Sequence, residues 1–206
     1  MTSSHRPALA ATLALLLALM LARPATAQAQ HSMAGMSGHD HITIPEGAIY
    51  TVADVEFMQG MIAHHAQAIY MSRMAAAHNA NPHVVKLANK IDQSQVAEIA
   101  IMQGWLRQNG QAAPDTSSWR TMTMAGMLTA EQLKELDAAH GVAFDSAFLT
   151  LMIQHHEGAL QMVKDLFAIP RAGQEVDVNV FANDVVTVQT AEIRVMRQML
   201  SQLSDK

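Results

Sequence analysis

Residues 57–71 read FMQGMIAHHAQAIYM, and residues 148–162 read FLTLMIQHHEGALQM. The two stretches align without a gap, so that a Phe, a Met-Ile pair, a His-His pair and a Met occupy matching positions. A second block follows each copy, ANKIDQSQVAEIAIMQGWL at residues 88–106 and ANDVVTVQTAEIRVMRQML at residues 182–200. An internal repeat that keeps His, Glu, Gln and Met in register predicts two copies of a helical hairpin that build one pseudo-symmetric site.

Capping residues, prolines and glycines indicate where the helices begin and end. They bound four long helical segments and a short one, at about residues 51–77, 81–109, 129–141, 143–168 and 176–203. The short connections within each repeat predict antiparallel hairpins, and two hairpins pack into a four-helix bundle. No segment alternates as a strand would, so the predicted fold is all-α, with the short helix connecting the two hairpins.

The N-terminal region carries the features of a cleavable secretory signal. A continuous apolar run covers residues 8–21, and residues 25–27 offer an A-x-A cleavage site. The run is shorter than the roughly 20 residues that a membrane-spanning helix needs. We therefore expect a signal peptide at 1–27, a flexible His/Met arm at 28–50 and a bundle at 51–206. Within the bundle, repeat one covers 51–110, a linker 111–142 and repeat two 143–206, and the mature protein is expected to be periplasmic or secreted, with no membrane span.

The composition favours a cation as ligand. The net charge is −5, and cleavage of the signal would remove Arg6 and Arg23 without removing an acidic residue. An acidic chain with no basic run is a poor nucleic-acid binder. Cysteine is absent and methionine is abundant, with 16 residues. Thioether sulfur remains a usable soft ligand where thiolates would be oxidised, although methionine also fills helical cores.

The histidine pair of repeat one straddles a stripe of the first long helix. On a helical wheel, Met61 lies on the stripe, and His64 and His65 fall on either side of it. At least one of the two rings should therefore face the bundle interior. The corresponding residues of repeat two are Met152, His155 and His156.

A carboxylate lies in the middle of an apolar stripe on the second helix of each hairpin. Glu98 lies near Met102, and Glu192 lies near Met196. A buried carboxylate costs several kcal/mol unless it is paired or bound to a metal. Two interpretations follow: a metal site that uses some of the four histidines, or a metal-free network of Glu and imidazolium that fixes helix register. Met61 and Met152 are candidate ligands but could equally pack as core.

Further candidate ligands lie outside the repeats. The N-terminal arm contains His39 and His41, and closely spaced His and Met on such a segment can bind a soft or borderline cation. The alternative is a solubilising tail. In the linker, Met122, Met124 and Met127 follow Trp119, and W-x-x-M-x-M resembles the copper(I) motif of the small periplasmic chaperones of the Cus efflux system. Three more histidines are predicted to be surface or capping residues: His78, His83 and His140.

The repeated pattern F-x-x-x-M-I-x-H-H-x-x-A-x-x-M, followed by A-x-x-I-x-x-x-Q-x-x-E-I-x-x-M, resembles the domain-of-unknown-function family 305, DUF305. The segments MAGMLT at 124–129 and GVAFD at 141–145 resemble further family motifs. The resemblance implies a ferritin-like bundle, and, because several members are exported copper-binding proteins linked to copper tolerance, it implies copper as the bound ion. Repeat one departs from the pattern, since Gln67 stands where repeat two has Gly158.

The predicted function is that of an exported copper-binding protein for sequestration, tolerance or trafficking, with Cu(I) favoured and Cu(II) also accepted. A copper efflux or delivery protein is a candidate partner. One alternative is a di-metal oxidoreductase of the ferritin-like kind, although the spacing here is Gln-x-x-Glu rather than Glu-x-x-His. Another is a metal-free structural bundle. No nucleotide fingerprint or Ser-His-Asp order is present, so we expect a protein without catalytic activity. The metal bound in the cell and the oligomeric state stay open.

Overall fold

The computed structural model describes residues 42–204, which contain helices and no β-strand. The all-α prediction is therefore confirmed for this part of the chain. The predicted signal peptide and the arm residues His39 and His41 lie outside the described residues. A 3₁₀ turn at Ser118–Arg120 interrupts the linker. The helices are α1 (Val52–Met74), α2 (Pro82–Gln108), α3 (Ala130–Ala138), α4 (Val142–Ala168) and α5 (Val176–Ser204).

Local capping explains most of the helix boundaries. Thr51 begins α1 with a capping box, in which its side chain accepts from the N–H of Asp54 and the Asp54 carboxylate accepts from the N–H of Thr51. Asn81 caps α2 ahead of Pro82, as the sequence predicts. Helix α1 ends three residues earlier than predicted, because the chain turns there and Asn79 adopts a positive φ of 54°.

The helices pack as two hairpins, α1 with α2 and α4 with α5, and α1 also contacts α4. Two apolar clusters form the core. The first contains Phe57 and Phe181, whose rings meet edge to face at 6.2 Å. The second contains Phe144 and Phe148, whose rings stack at 5.7 Å. In α2, α4 and α5, one part of the helix contributes to the first cluster and another part contributes to the second. The polar residues of the repeat lie between these two parts, so a polar layer separates the clusters.

A reciprocal pair of aspartates joins the hairpins. Asp54, in the first turn of α1, accepts a hydrogen bond from the N–H of Gly173 in the α4–α5 turn, at 2.6 Å. Asp145, its repeat counterpart in α4, accepts one from the N–H of Asn81 in the α1–α2 turn, at 2.9 Å. Each hairpin thus holds the turn of the other, and the two repeats are related by a pseudo-twofold axis that brings α1 and α4 together.

Residues 42–50 form no helix or strand but pack against the first cluster. Ile42 and Ile44 contact that cluster, and the Tyr50 and Trp105 rings meet edge to face at 5.3 Å. The Gln111 side chain also donates to the carbonyl of Thr43. Within residues 42–204, none of the helices is both long and apolar enough to cross a membrane.

Candidate metal centre

Two histidines, one from each repeat, meet at the pseudo-twofold axis. His64 on α1 and His155 on α4 are fully buried, and their ring centroids lie 3.8 Å apart with an angle of 42° between the planes. His64 Nε2 donates to the carbonyl of Ala125 at 3.1 Å. That bond assigns the proton to Nε2 and leaves the lone pair on Nδ1, which has no hydrogen-bond partner. Neither ring nitrogen of His155 makes a hydrogen bond.

The environment keeps both central rings neutral. Burial lowers the pKa of His64 to about 3, and the nearby imidazole of His65 adds to the effect. Burial, followed by the repulsion from His64, lowers the pKa of His155 well below the usual range. A neutral imidazole is the form that binds a metal ion, because its lone pair is free. At neutral pH the pair therefore needs no deprotonation before it can bind a cation.

The second histidine of each pair turns toward its own hairpin. His65 Nε2 donates to the Glu98 carboxylate at 2.6 Å, and His156 Nε2 donates to Glu192 at 2.9 Å. The Nδ1 atoms of His65 and His156 are buried and make no hydrogen bond. Both glutamates were predicted to be buried. The side chain of Glu192 is buried, with 3% of it exposed, whereas the side chain of Glu98 is 22% exposed and therefore only partly buried.

The groups of the layer form a row. Neighbouring contacts connect the groups in the order Glu98, His65, His64, His155, His156 and Glu192, so the central pair lies between the two His–Glu pairs. Neighbouring rings of the same repeat are separated by 6.5 Å in α1 and 6.4 Å in α4. Among the residues that the structure describes, no group of three or more His, Asp or Glu side chains is arranged to hold a metal ion.

Several polar atoms of this layer lack partners. Besides the ring nitrogens, these are the Oε1 atoms of Gln95 and Gln189, at equivalent positions in α2 and α5, and Oε1 of Glu192. An unsatisfied buried polar atom costs about 1–3 kcal/mol. A concentration of such atoms in one layer is typical of a site that binds a further group.

Methionine side chains lie beside the histidines in the apolar clusters. Met61 and Met152 lie one helical turn before the central pair, and both are fully buried. Met102 packs in the same cluster as Met61, and Met196 in the same cluster as Met152. Their burial suits ligation and core packing alike, so the structure leaves both interpretations of these thioethers open.

The linker covers the central pair. A Cβ at Gly158 on α4 would lie 2.1 Å from the carbonyl oxygen of Ala125 and 2.4 Å from Cα of Gly126, so only glycine permits this approach. The same carbonyl oxygen accepts from His64. On α1, a Cβ at Gly60 would lie 2.8 Å from Sδ of Met124. The linker thus lies directly against both histidine-bearing helices.

The departure of repeat one from the family pattern has a structural reason. The Gln67 amide donates to the carbonyl of Leu128 at 3.0 Å and accepts from the N–H of Leu128 at 2.7 Å. Its counterpart, Gly158, makes room for the backbone at Ala125 and Gly126. The equivalent positions of the two repeats therefore contact neighbouring parts of the same linker segment. Gln67 binds it at Leu128 through two hydrogen bonds, and Gly158 lets it approach at Ala125 and Gly126 because it has no side chain.

Residues 54–200 match the family model described as "Domain of unknown function (DUF305)". The chain belongs to the DUF305 family. Comparison with curated protein sequences gives no match.

Solved structures of two DUF305 proteins and of CopM share this fold. A candidate secreted DUF305 protein of Streptomyces coelicolor is 30% identical, with a TM-score of 0.64 over 74% of this chain and 94% of that one. A DUF305 fragment from Deinococcus radiodurans is 29% identical, with a TM-score of 0.64 over 74% and 98% of the two chains. CopM in its Cu(I)-bound form is 29% identical, with a TM-score of 0.59 over 72% and 96%. CopM also has Cu(II)-bound and Ag-bound structures.

The remaining candidate ligands of this DUF305 chain lie in the linker. Trp119 contacts Tyr70, with ring centroids 5.0 Å apart, and the Arg120 guanidinium lies 4.5 Å from the centre of its ring. Met127 is buried, whereas Met122 and Met124 are half-buried. A ligand role for these three methionines stays a prediction.

His78 is a capping histidine, as predicted. Its Nδ1 contacts the Met74 carbonyl at 2.7 Å, and its Nε2 contacts the Asp137 carbonyl at 2.9 Å. Burial alone would lower the pKa of His78, but these bonds and the Asp137 carboxylate raise it overall. The ring also stacks on His140 and Phe144, so it ties the end of α1 to α3 and α4. The sequence predicts the capping position but gives no signal for the contacts with α3 and α4.

Proposed function

We propose that this chain is an exported copper-binding protein that sequesters copper or passes it on, with copper as cargo. The observation that carries the proposal is the central pair, in which His64 and His155 bring unpartnered ring nitrogens together at 3.8 Å between centroids. In this proposal the two hairpins form a ferritin-like four-helix bundle whose purpose is to place one histidine of each repeat at the axis.

The donor set fits copper. Imidazole accepts Cu(I) and Cu(II), and thioethers select the softer Cu(I). The central rings are neutral at pH 7, and Met61 and Met152 lie one turn away. Because no third His or carboxylate converges on the pair within residues 42–204, we propose that thioether sulfur, from these residues or from Met124, completes the coordination of Cu(I).

The relatives support the choice of metal. CopM, at 27–29% identity, has structures with Cu(I), Cu(II) and Ag bound. Silver is a close mimic of Cu(I) at soft sites, so we expect it to compete for the central pair. Export is supported by the predicted signal at residues 1–27 and by the similarity to the Streptomyces coelicolor protein.

The proposal contains no catalytic step. Each glutamate of the layer bonds to a histidine of its own hairpin, at opposite ends of the row. A di-metal oxidoreductase would need carboxylates that converge on shared ions. We therefore propose a binding protein whose physiological partner is a copper efflux or delivery protein.

The test is an anaerobic Cu(I) titration of the mature chain against a chromophoric chelator. The informative variant is H64A/H155A, and its matched control is H83A/H140A, which removes two exposed histidines. Stoichiometric binding that weakens at least about tenfold in H64A/H155A, and not in the control, is expected. Equal binding by all three proteins would refute the central site, and failure of the unaltered chain to compete would refute the function.

A further inference from the structure

The two ends of the polar row carry different charges. Among residues 42–204, Glu192 has a lysine at ion-pair distance, with Nζ of Lys90 3.4 Å from Oε1. The side chain of Glu98 accepts a hydrogen bond from His65, and no Lys or Arg described by the structure lies within ion-pair distance of it. The difference is unexpected in a repeat that preserves both His–Glu pairs.

The pseudo-twofold symmetry shows what replaces Lys90 at the other end. Lys90 precedes Glu98 by eight residues on α2, and the aligned residue on α5, eight before Glu192, is Asp184. The lysine that lies beside Glu192 thus has a carboxylate, Asp184, at the equivalent position of the repeat. The Glu192 end of the row has a neighbouring ammonium, whereas among residues 42–204 the Glu98 end has no Lys or Arg at ion-pair distance.

We infer that the two ends are not equivalent: the His65–Glu98 end receives an incoming metal cation, and Lys90 closes the His156–Glu192 end to it. The inference rests on the proposed function, since it concerns the cation that the histidine layer binds. It names Lys90 as the charge that decides the route and the number of bound ions.

Exposure and charge act in the same direction. Glu98 keeps 22% of its side chain exposed, so a hydrated cation can reach its carboxylate, whereas Glu192 keeps 3%. A groove of about 760 Å³ between α2 and α5 does approach Glu192, but Lys86, Lys90 and His83 line it. A cation in that groove would meet ammonium groups first, and repulsion between like charges disfavours its entry.

Lys90 also satisfies the charge of Glu192. Its ammonium lies 3.4 Å from Oε1 of Glu192, and His156 donates a hydrogen bond to Oε2 at 2.9 Å, so this buried carboxylate already has a cation beside it. A metal ion at this end would have to displace or tolerate the ammonium. Among residues 42–204, Glu98 has no such cationic neighbour.

Matched substitutions at equivalent positions test the inference. Cu(II) is titrated calorimetrically into the full mature chain, E98Q and E192Q, which exchange a carboxylate for an amide of the same shape. E98Q should weaken Cu(II) binding about tenfold or more, as loss of a carboxylate partner does at histidine sites, and E192Q by less than about threefold. K90Q should strengthen binding at the second end or add a second equivalent of Cu(II), whereas its control K86Q, which removes a lysine of the same groove that makes no ion pair with Glu192, should have a clearly smaller effect.

Circular dichroism of each variant would confirm that it is folded before titration. Equal weakening by E98Q and E192Q, or equal effects of K90Q and K86Q, would overturn the inference and leave copper binding intact. If the unaltered chain bound neither Cu(I) nor Cu(II), the proposed function itself would fail, and the inference with it.

Discussion

Replacement of Gly158 by alanine should destabilise the protein through the linker rather than through α4. The new methyl group would lie 2.1 Å from the Ala125 carbonyl oxygen and 2.4 Å from Cα of Gly126, and both obstacles are backbone. The linker would therefore have to move away from α4. This movement would also draw the Ala125 carbonyl away from Nε2 of His64, which is now 3.1 Å distant.

The magnitude follows from three terms. Overpacking of a tight contact costs roughly 1–3 kcal/mol. Loss of the hydrogen bond from a fully buried imidazole N–H costs about 1–3 kcal/mol. Alanine in a helix interior recovers roughly 0.5–1 kcal/mol relative to glycine. The free energy of unfolding of Gly158→Ala should therefore fall by about 1–5 kcal/mol.

Gly104→Ala is the matched control. Gly104 also lies inside a helix, but a Cβ there meets nothing within 4 Å, so only the helix-propensity gain of roughly 0.5–1 kcal/mol remains. Urea unfolding of the metal-free proteins, followed by circular dichroism, measures both changes. If the two variants were equally stable, the contact between the linker and α4 would not contribute to stability, and the packing of the linker over His64 would be refuted.

Three further predictions concern pH and the joints between elements. Because the pKa values of His64 and His155 are lowered in the fold, the unfolded chain takes up protons below about pH 6.5 that the folded chain does not. The free energy of unfolding of the metal-free protein, measured with urea, should therefore fall by about 2–4 kcal/mol between pH 7 and pH 5. A free energy of unfolding that does not change over this range would contradict the prediction. The fold raises the pKa of His78, so the stability that its protonated ring contributes is complete below about pH 6.5 and is lost as the pH rises through the pKa of the folded protein. His78→Gln should therefore lower the free energy of unfolding more at pH 6 than at pH 9. Equal losses at the two pH values would show that the protonated ring does not stabilise the fold. Asp54→Ala and Asp145→Ala each leave a backbone N–H of the other hairpin without its carboxylate acceptor. Each should lower the free energy of unfolding by about 1.5–3 kcal/mol in thermal or urea unfolding. Changes under about 0.5 kcal/mol would show that these two hydrogen bonds between the hairpins are dispensable.

The sequence predicts the helices and the histidine layer well because both depend on local patterns. Capping boxes, the Asn81-Pro82 start and the repeated spacing act within a few residues, and α2 and α3 begin where these signals place them. The periodicity also predicts that at least one ring of each histidine pair faces the interior, and the structure buries both. The end of α1 was missed by three residues because a tight turn through Asn79 leaves little trace in the hydrophobic pattern.

The partners within the layer could not be predicted in the same way. Adjacent histidines differ by 100° around a helix, and the helices that pack alongside decide which ring meets the other repeat. His64 meets His155 at the axis, whereas His65 turns to Glu98. The contact of Ala125 with His64 joins residues 61 positions apart. The sequence displayed the Gln67 and Gly158 difference, but its meaning depends on where the linker lies.

The most direct test of the central claim is the position of copper in crystals of the Cu(I)-loaded chain, located by anomalous scattering at the copper absorption edge. A copper peak within bonding distance of ring nitrogens of both His64 and His155 is the predicted result. Copper bound only by linker methionines or by surface histidines, with His64 and His155 unligated, would contradict it.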